Sequence, residues 1–162
     1  MLELRPAQAR VVVCLAAPEV LDGVPPIDGA VRCRISLDEL LLIGAPGVLA
    51  SASVHVAEHD PTALVVDHTD AFAIWTIAGT CADEAFCRLS AIPLPRHRPA
   101  FLQGLVAHVP TKVLVAESEL HVLVPASVGH HLRDRLLAAC RDLEPREGPP
   151  APLRASALEP NR

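Results

Sequence analysis

The first half of the chain alternates short apolar runs with turns that contain proline and glycine. Four of these runs predict strands, at Arg10–Leu15, Val31–Ile35, Leu40–Ile43 and Ala63–Val66. Between the last two, apolar residues recur at helical spacing from Val48 to Val56, and Pro61 predicts the end of this helix. Prolines and glycines in Ala17–Gly29 predict a loop with at most one short helical turn.

The second half repeats this arrangement. Ala71–Ile77 is apolar on both faces, which predicts a central strand, and apolar residues at helical spacing from Ala82 to Leu89 predict a helix. Three further strands are predicted, at Leu105–Val109, Lys112–Ala116 and Leu120–Val124. The strongest helical pattern is the apolar stripe formed by Val128, Leu132, Leu136, Cys140 and Leu143.

Two segments resemble each other at a constant offset. Ser36–Ala52 and Glu117–Leu132 both contain a polar start, an apolar strand, a short turn with proline and an amphipathic helix. This echo indicates either two related units or the independent use of one strand–turn–helix pattern. We therefore predict an α+β fold of ferredoxin-like β-α-β-β-α units, pseudo-duplicated, with helices packed on antiparallel sheets. Residues 1–143 would form a single domain of two related halves, about 1–66 and 67–143.

The end of the chain has a different composition. Residues 144–162 contain five prolines and little apolar periodicity, so we predict a disordered, proline-rich tail.

Composition narrows the possible functions. The net charge is −5 and only 2% of residues are aromatic, which argues against a nucleic-acid-binding protein. No apolar run reaches the roughly 18 residues of a membrane span. The five cysteines form no C-x-x-C pair, so we expect reduced thiols, typical of a cytoplasmic protein.

One histidine motif resembles a metal site. His55, Glu58 and His59 form H-x-x-E-H on a predicted helix, and two histidines four residues apart can chelate one metal. However, the helix ends at Pro61, and histidine near a helix C-terminus is favoured by the helix dipole alone. We favour the second interpretation and predict no metal site.

Two other polar segments are candidates for function. Asp67–Asp70 could support acid–base chemistry, but aspartates at a strand end more often cap turn N–H groups. Arg96, His97 and Arg98 lie in a predicted loop and are candidate contacts for an anionic partner surface; the alternative is a solvated loop. The chain contains no recognisable set of catalytic residues.

Three segments, in order, resemble motifs of one family. LDELLLIG (Leu37–Gly44) resembles its Asp-Glu-containing strand that ends at glycine. VVDHTDAFAIWTIAG (Val65–Gly79) resembles its Asp-x-Ser-Asp segment, apolar strand and Gly-opened helix. LVPASVGHHL (Leu123–Leu132) resembles its Leu-x-Val-Pro-x-Ser strand-to-helix junction. From about residue 31 to residue 143 the chain thus resembles the gamma subunit of heterotetrameric sarcosine oxidase, which is related to the folate-binding T-protein of the glycine cleavage system.

The resemblance implies that the single domain of residues 1–143 is folate-domain-like, and that the chain is a non-catalytic, gamma-type subunit of a flavin-dependent complex. Such a complex oxidatively demethylates an N-methyl amine and passes the carbon to tetrahydrofolate. FAD, FMN, NAD and tetrahydrofolate are implied in partner subunits and no cofactor in this chain. The implied partner is a large, folate-domain-bearing flavoprotein subunit.

Two alternatives remain open. One is a standalone folate-binding protein of the aminomethyltransferase type, although Val109–Glu117 carries Thr111 and Lys112 where the T-protein group has an acidic pair. The other is a small regulatory binding domain.

Overall fold

The computed structural model describes residues 1–45 and 47–153. The strands are β1 (Glu3–Gln8), β2 (Arg10–Leu15), β3 (Ala30–Arg34), β4 (Glu39–Gly44), β5 (Leu64–Asp67), β6 (Phe72–Ala78), β7 (Ala100–Val106), β8 (Val109–Val115), β9 (Glu119–Pro125), β10 (Arg146–Glu147) and β11 (Ala151–Pro152). The helices are α1 (Pro18–Gly23), α2 (Val48–His59), α3 (Ala82–Leu89) and α4 (Gly129–Ala139). None of these helices is long and apolar enough to cross a membrane.

The chain forms two compact units. The first unit comprises Ala9–Thr69, and the second comprises Met1–Gln8 together with Asp70–Pro152. The boundary near residue 69 lies close to the one predicted at residue 66. The N-terminal strand, however, belongs to the second unit although it precedes the first in sequence.

Both units contain the same order of antiparallel strands. The sheet of the first unit has the order β3-β4-β2-β5, and the second contains β8-β9-β6-β1 as its equivalent. The second sheet is extended by β7 at one edge and by β10 and β11 at the other. The α+β fold with helices on antiparallel sheets is therefore confirmed. The common order accounts for the sequence echo, because β4 and β9 are the corresponding strands.

In each sheet the strand residues that pack against the helices are alternate ones, so they lie on one face. In the first unit the apolar face of β2 and β4 contacts Val48, Ala52 and Val56 of α2. In the second unit the core includes residues of β1, β6, β8 and β9 together with Phe86 of α3 and Leu132 of α4. These helical residues belong to the predicted apolar stripes.

The predicted strand Leu105–Val109 is wrong, because a hairpin turn falls inside it. Val106 pairs with Val109, so Ala107 and His108 form a two-residue loop between β7 and β8. Their φ values are 51° and 66°, as a type I′ turn requires. This turn normally carries Asn-Gly, and Ala-His gives no such signal, so the segment has the apolar pattern of a continuous strand.

The predicted disorder of residues 144–162 is wrong for the part that the structure describes. Arg146–Glu147 and Ala151–Pro152 pair in parallel with β1, and residues 154–162 lie outside the described chain. The two short strands lie on either side of Pro6 in the register, because proline has no N–H to donate. This pairing uses backbone groups, which explains why side-chain periodicity does not predict it.

Candidate functional site

A row of polar side chains crosses the sheet of the second unit. Arg5 on β1 pairs in register with Thr76 on β6, and Thr76 pairs with His121 on β9. Neighbouring residues on these strands, Leu4, Ile77 and Leu120 among them, belong to the apolar core with α3 and α4. Since side chains alternate along a strand, the polar row lies on the opposite face of the sheet.

His121 is the centre of this row. Its side chain is 1% exposed, and its Nδ1 lies 2.9 Å from the hydroxyl oxygen of Thr76. Its Nε2 lies 3.3 Å from Oε1 of Glu119 but is not aligned with it as a hydrogen bond. The Arg5 guanidinium donates to Glu119 Oε2 at 2.8 Å and to Glu3 Oε1 at 2.9 Å. The row therefore links β1, β6 and β9.

Burial controls the charge of the imidazole. Loss of solvation lowers the pKa of His121, and the nearby Arg5 lowers it further, while Glu119 acts in the opposite direction. Because desolvation is the largest of these effects, we infer that His121 is neutral near pH 7. A neutral imidazole can hydrogen-bond to the Thr76 hydroxyl in either tautomer, since the hydroxyl donates or accepts.

The polar row contains the same three chemical groups as a nucleophilic catalytic triad, but its hydroxyl and imidazole are not accessible to solvent. A hydroxyl, an imidazole and a carboxylate are the groups that activate a serine or threonine nucleophile. However, Thr76 and His121 are each only 1% exposed, so a substrate cannot reach the hydroxyl oxygen. We therefore interpret the row as a structural connection between strands. The alternate polar positions of Glu119 and His121 within an apolar strand were the sequence signal for it.

The predicted contact residues Arg96, His97 and Arg98 do not form one exposed surface. Arg96 and His97 are exposed in the loop that precedes β7. The Arg98 side chain is only 15% exposed; its guanidinium pairs with Asp83 and donates to the carbonyl of Ala116 at 3.2 Å. Only the first two residues of the triplet are thus free to meet a partner.

The histidine motif on α2 does not converge on a metal position. The rings of His55 and His59 are stacked with their centroids 4.5 Å apart. Nδ1 of His59 lies 2.9 Å from the backbone carbonyl oxygen of His55. Within the described residues, no three His, Cys, Asp or Glu side chains are grouped to hold a metal ion.

The turn-capping interpretation of Asp67–Asp70 is confirmed. Asp67 accepts hydrogen bonds from the backbone N–H of Thr69 at 2.9 Å and from its hydroxyl, and Arg10 donates to it at 2.8 Å. The hydrogen bonds from Thr69, together with the nearby Arg10, lower the pKa of this carboxyl. The Asp67 carboxylate thus caps the turn that follows β5.

The buried thiols show the opposite shift. Burial raises the pKa of Cys14 to about 11 and that of Cys33 to about 12. Both thiols therefore stay protonated at neutral pH, as expected for small core residues rather than reactive groups.

Known proteins share the fold of this chain but show no significant sequence similarity to it. No protein-family model matches the chain, and no curated protein is significantly similar to it in sequence. Among solved structures, a chain of heterotetrameric sarcosine oxidase from Corynebacterium sp. U-96 superimposes with a TM-score of 0.74. The two chains share a fold. The similarity covers 91% of this chain and 87% of the oxidase chain, at 17% sequence identity.

A second similar structure is a longer protein. Glycine cleavage system aminomethyltransferase T from Bartonella henselae superimposes with a TM-score of 0.62 and 13% identity. The match covers 90% of this chain but only 47% of the aminomethyltransferase, so this chain spans about half of that protein's length. At these identities the comparisons establish the fold.

Proposed function

We propose that the chain is a gamma-type subunit of a sarcosine-oxidase-like, flavin-dependent complex. The complex oxidises an N-methyl amine, and the released carbon passes to tetrahydrofolate. FAD, FMN, NAD and tetrahydrofolate are held by partner subunits, the main partner being a large folate-domain-bearing flavoprotein. The protonated buried thiols of Cys14 and Cys33 are compatible with a cytoplasmic location.

The extent of the structural match supports this proposal best. The similarity to the sarcosine oxidase chain covers nearly the whole of both chains, 91% and 87%. The matched oxidase chain is therefore close to this one in length. The aminomethyltransferase, in contrast, continues well beyond the 47% that this chain covers. A match over most of one chain of an oxidase complex supports the assignment of this chain as a subunit of such a complex.

The chain's own residues fit a supporting role in that chemistry. Oxidation of the N-methyl group to an imine moves two electrons to a flavin, which we assign to another chain. Thr76 and His121, which pair a hydroxyl with an imidazole, are buried on the sheet. We assign to this chain the stabilisation of its partner subunit, and no step of the reaction.

A standalone folate-binding transferase is the second candidate, because the aminomethyltransferase has a similar fold. The strand β8 argues against it. The stretch Val109–Glu117, which includes this strand, has a single carboxylate, that of Glu117, whereas the resemblance would place an acidic pair there. Thr111 in this strand is 6% exposed and its hydroxyl donates to the carbonyl of Gly104 at 3.1 Å.

Co-purification separates the two candidates. The tagged chain should be co-expressed with the flavoprotein subunits encoded in the same genome. We expect a stoichiometric complex with a flavin absorbance band and oxidation activity on N-methylglycine or another N-methyl amine. A chain that captures no flavoprotein but binds tetrahydrofolate alone, measured by calorimetry, would support the transferase instead. If the chain captures no flavoprotein and binds no tetrahydrofolate, the small regulatory binding domain is the remaining interpretation.

A further inference from the structure

An apolar cleft of about 300 Å³ lies at one end of the second unit's sheet. Phe72 on β6 and the buried Leu123 on β9 contribute to its lining, together with Leu105, which is 57% exposed. Pro110 and Pro125 are exposed at its edge. Apart from the single lysine in the lining, the cleft is formed by uncharged residues.

That residue, Lys112, is the only lysine in the chain, which otherwise uses arginine for its basic residues. It is half-buried, and its ammonium nitrogen lies 5.4 Å from the centroid of the Phe72 ring, within the range of a cation–π contact. Among the described residues, no carboxylate lies within ion-pair distance of it.

Lys112 differs in this respect from comparable basic residues of its unit. Arg5, Arg98 and Arg133 are also half-buried, and each forms an ion pair with a carboxylate. Partly desolvated charges in proteins are normally paired, because an unpaired one loses solvation without compensation. Among the described residues, the cleft thus combines apolar side chains, Leu105 being exposed, with a cation that has no ionic partner.

We propose that this cleft is the docking site for a segment of the partner flavoprotein in which a large apolar side chain adjoins a carboxylate. The inference rests on the proposed function and names the surface that the complex uses. A volume of 300 Å³ equals that of about ten water molecules, at the roughly 30 Å³ that each occupies in the liquid. This is the size of one large apolar side chain with a neighbouring carboxylate. The apolar group covers Phe72 and Leu105, and the carboxylate pairs with Lys112.

A protein segment fits the cleft better than a free small acid. The exposed prolines at the edge, Pro110 and Pro125, extend the apolar surface beyond Phe72 and Leu105, which a ten-atom ligand would cover. Protein interfaces are built in this way, with an apolar anchor in a pocket and near-neutral contacts around it that exclude water.

The test compares three purified variants of the full chain in capture of the co-expressed flavoprotein. Lys112→Glu reverses the charge in the cleft, and Leu105→Asp places a charge on its apolar floor. Arg135→Glu is the matched control, because Arg135 is exposed on α4 and the substitution has the same charge change. We expect the first two to weaken capture at least tenfold and the control to retain it, with circular dichroism confirming that all three fold.

A second readout uses the single lysine. Acetylation by an amine-specific reagent modifies only one side chain, Lys112, and mass spectrometry of its peptide measures the rate. We expect the flavoprotein to slow this modification at least tenfold. If hexanoate alone gives the same protection of the isolated chain, the occupant is a small acid and the docking proposal is overturned. Self-association that Lys112→Glu abolishes would likewise identify a second copy as the occupant.

The outcomes separate the two proposals. If the wild-type chain captures the flavoprotein and both cleft variants do so equally well, the docking site is wrong and the proposed function stands. If the wild-type chain captures no flavoprotein, the proposed function fails, and the docking site fails with it because its occupant does not exist.

Discussion

Acidification should destabilise the second unit through His121. Burial lowers the pKa of this imidazole in the folded protein, whereas in the unfolded chain a histidine titrates near pH 6.5. Below that pH the unfolded state binds a proton that the folded state binds less readily. A lowered folded-state pKa therefore gives a contribution to stability that is present above about pH 6.5 and is lost as the pH falls.

The size of the effect has a limit set by the unfolded state. If the folded protein excluded the proton completely, stability would fall by at most about 2 kcal/mol between pH 7 and pH 5. Attraction to Glu119 raises the His121 pKa and so reduces this figure, while Arg5 acts in the same direction as burial. For a chain of this length, 2 kcal/mol corresponds to roughly 4–8 °C in Tm.

The assay compares the wild-type chain with His121→Gln. Glutamine does not titrate, and it can retain a hydrogen bond to Thr76. Fluorescence of Trp75, the only tryptophan, reports on the second unit because it lies on β6. Urea unfolding at pH 7, 6 and 5 should show a steeper loss of stability for the wild-type chain. Parallel stability–pH curves for the two proteins would refute the assigned role of His121.

Three further predictions can be checked by the same unfolding assay. Arg98→Ala should lower the free energy of unfolding by about 1–2 kcal/mol, because the ion pair with Asp83 and the contact with the Ala116 carbonyl are lost. Arg96→Ala should lower it by less than about 0.5 kcal/mol, and equal effects of the two substitutions would contradict the structure. His108→Gly should stabilise by about 0.5–1 kcal/mol, because φ at this turn position is 66°, and a destabilised variant would argue against the turn. Truncation after Leu143 should cost about 1–3 kcal/mol by removing the backbone pairing to β1, and an unchanged midpoint would show that this pairing contributes nothing.

The elements with strong side-chain periodicity are the ones that sequence predicts. Short apolar runs identify β2, β4 and β9, alternation of apolar residues with arginine identifies β3, and the stripe that contains Leu132 and Leu136 identifies α4. Elements held mainly by backbone pairing are missed, as with β10 and β11, or displaced, as with β7. In these cases the deciding contact is a partner strand or a turn conformation that no side-chain pattern reports.

The polar row shows the same limit for a site. Histidine within an apolar strand is visible in the sequence, but its partners come from residues 45 and 116 positions away, Thr76 and Arg5. Only the strand register brings them together. Conversely, the adjacent triplet at residues 96–98 suggested a single charged surface. The structure separates it, because the Arg98 guanidinium is held by Asp83.

The N-terminal strand determines whether the second unit can fold alone. Although β1 lies before the first unit in sequence, it fills the position next to β6 that β5 fills in the first unit. Leu2 and Leu4 are 0% and 1% exposed, and burying each contributes about 1.5–3 kcal/mol. Deleting residues 1–8 also removes the Arg5 contact to Glu119. The total loss of unfolding free energy is about 5 kcal/mol or more, which is comparable with the whole stability of a domain.

We expect the deletion of residues 1–8 to abolish cooperative unfolding of the second unit. A peptide of residues 1–8 should restore it in trans, whereas a peptide with Leu4→Asp should not. A deletion variant with the wild-type midpoint would show that β1 is dispensable.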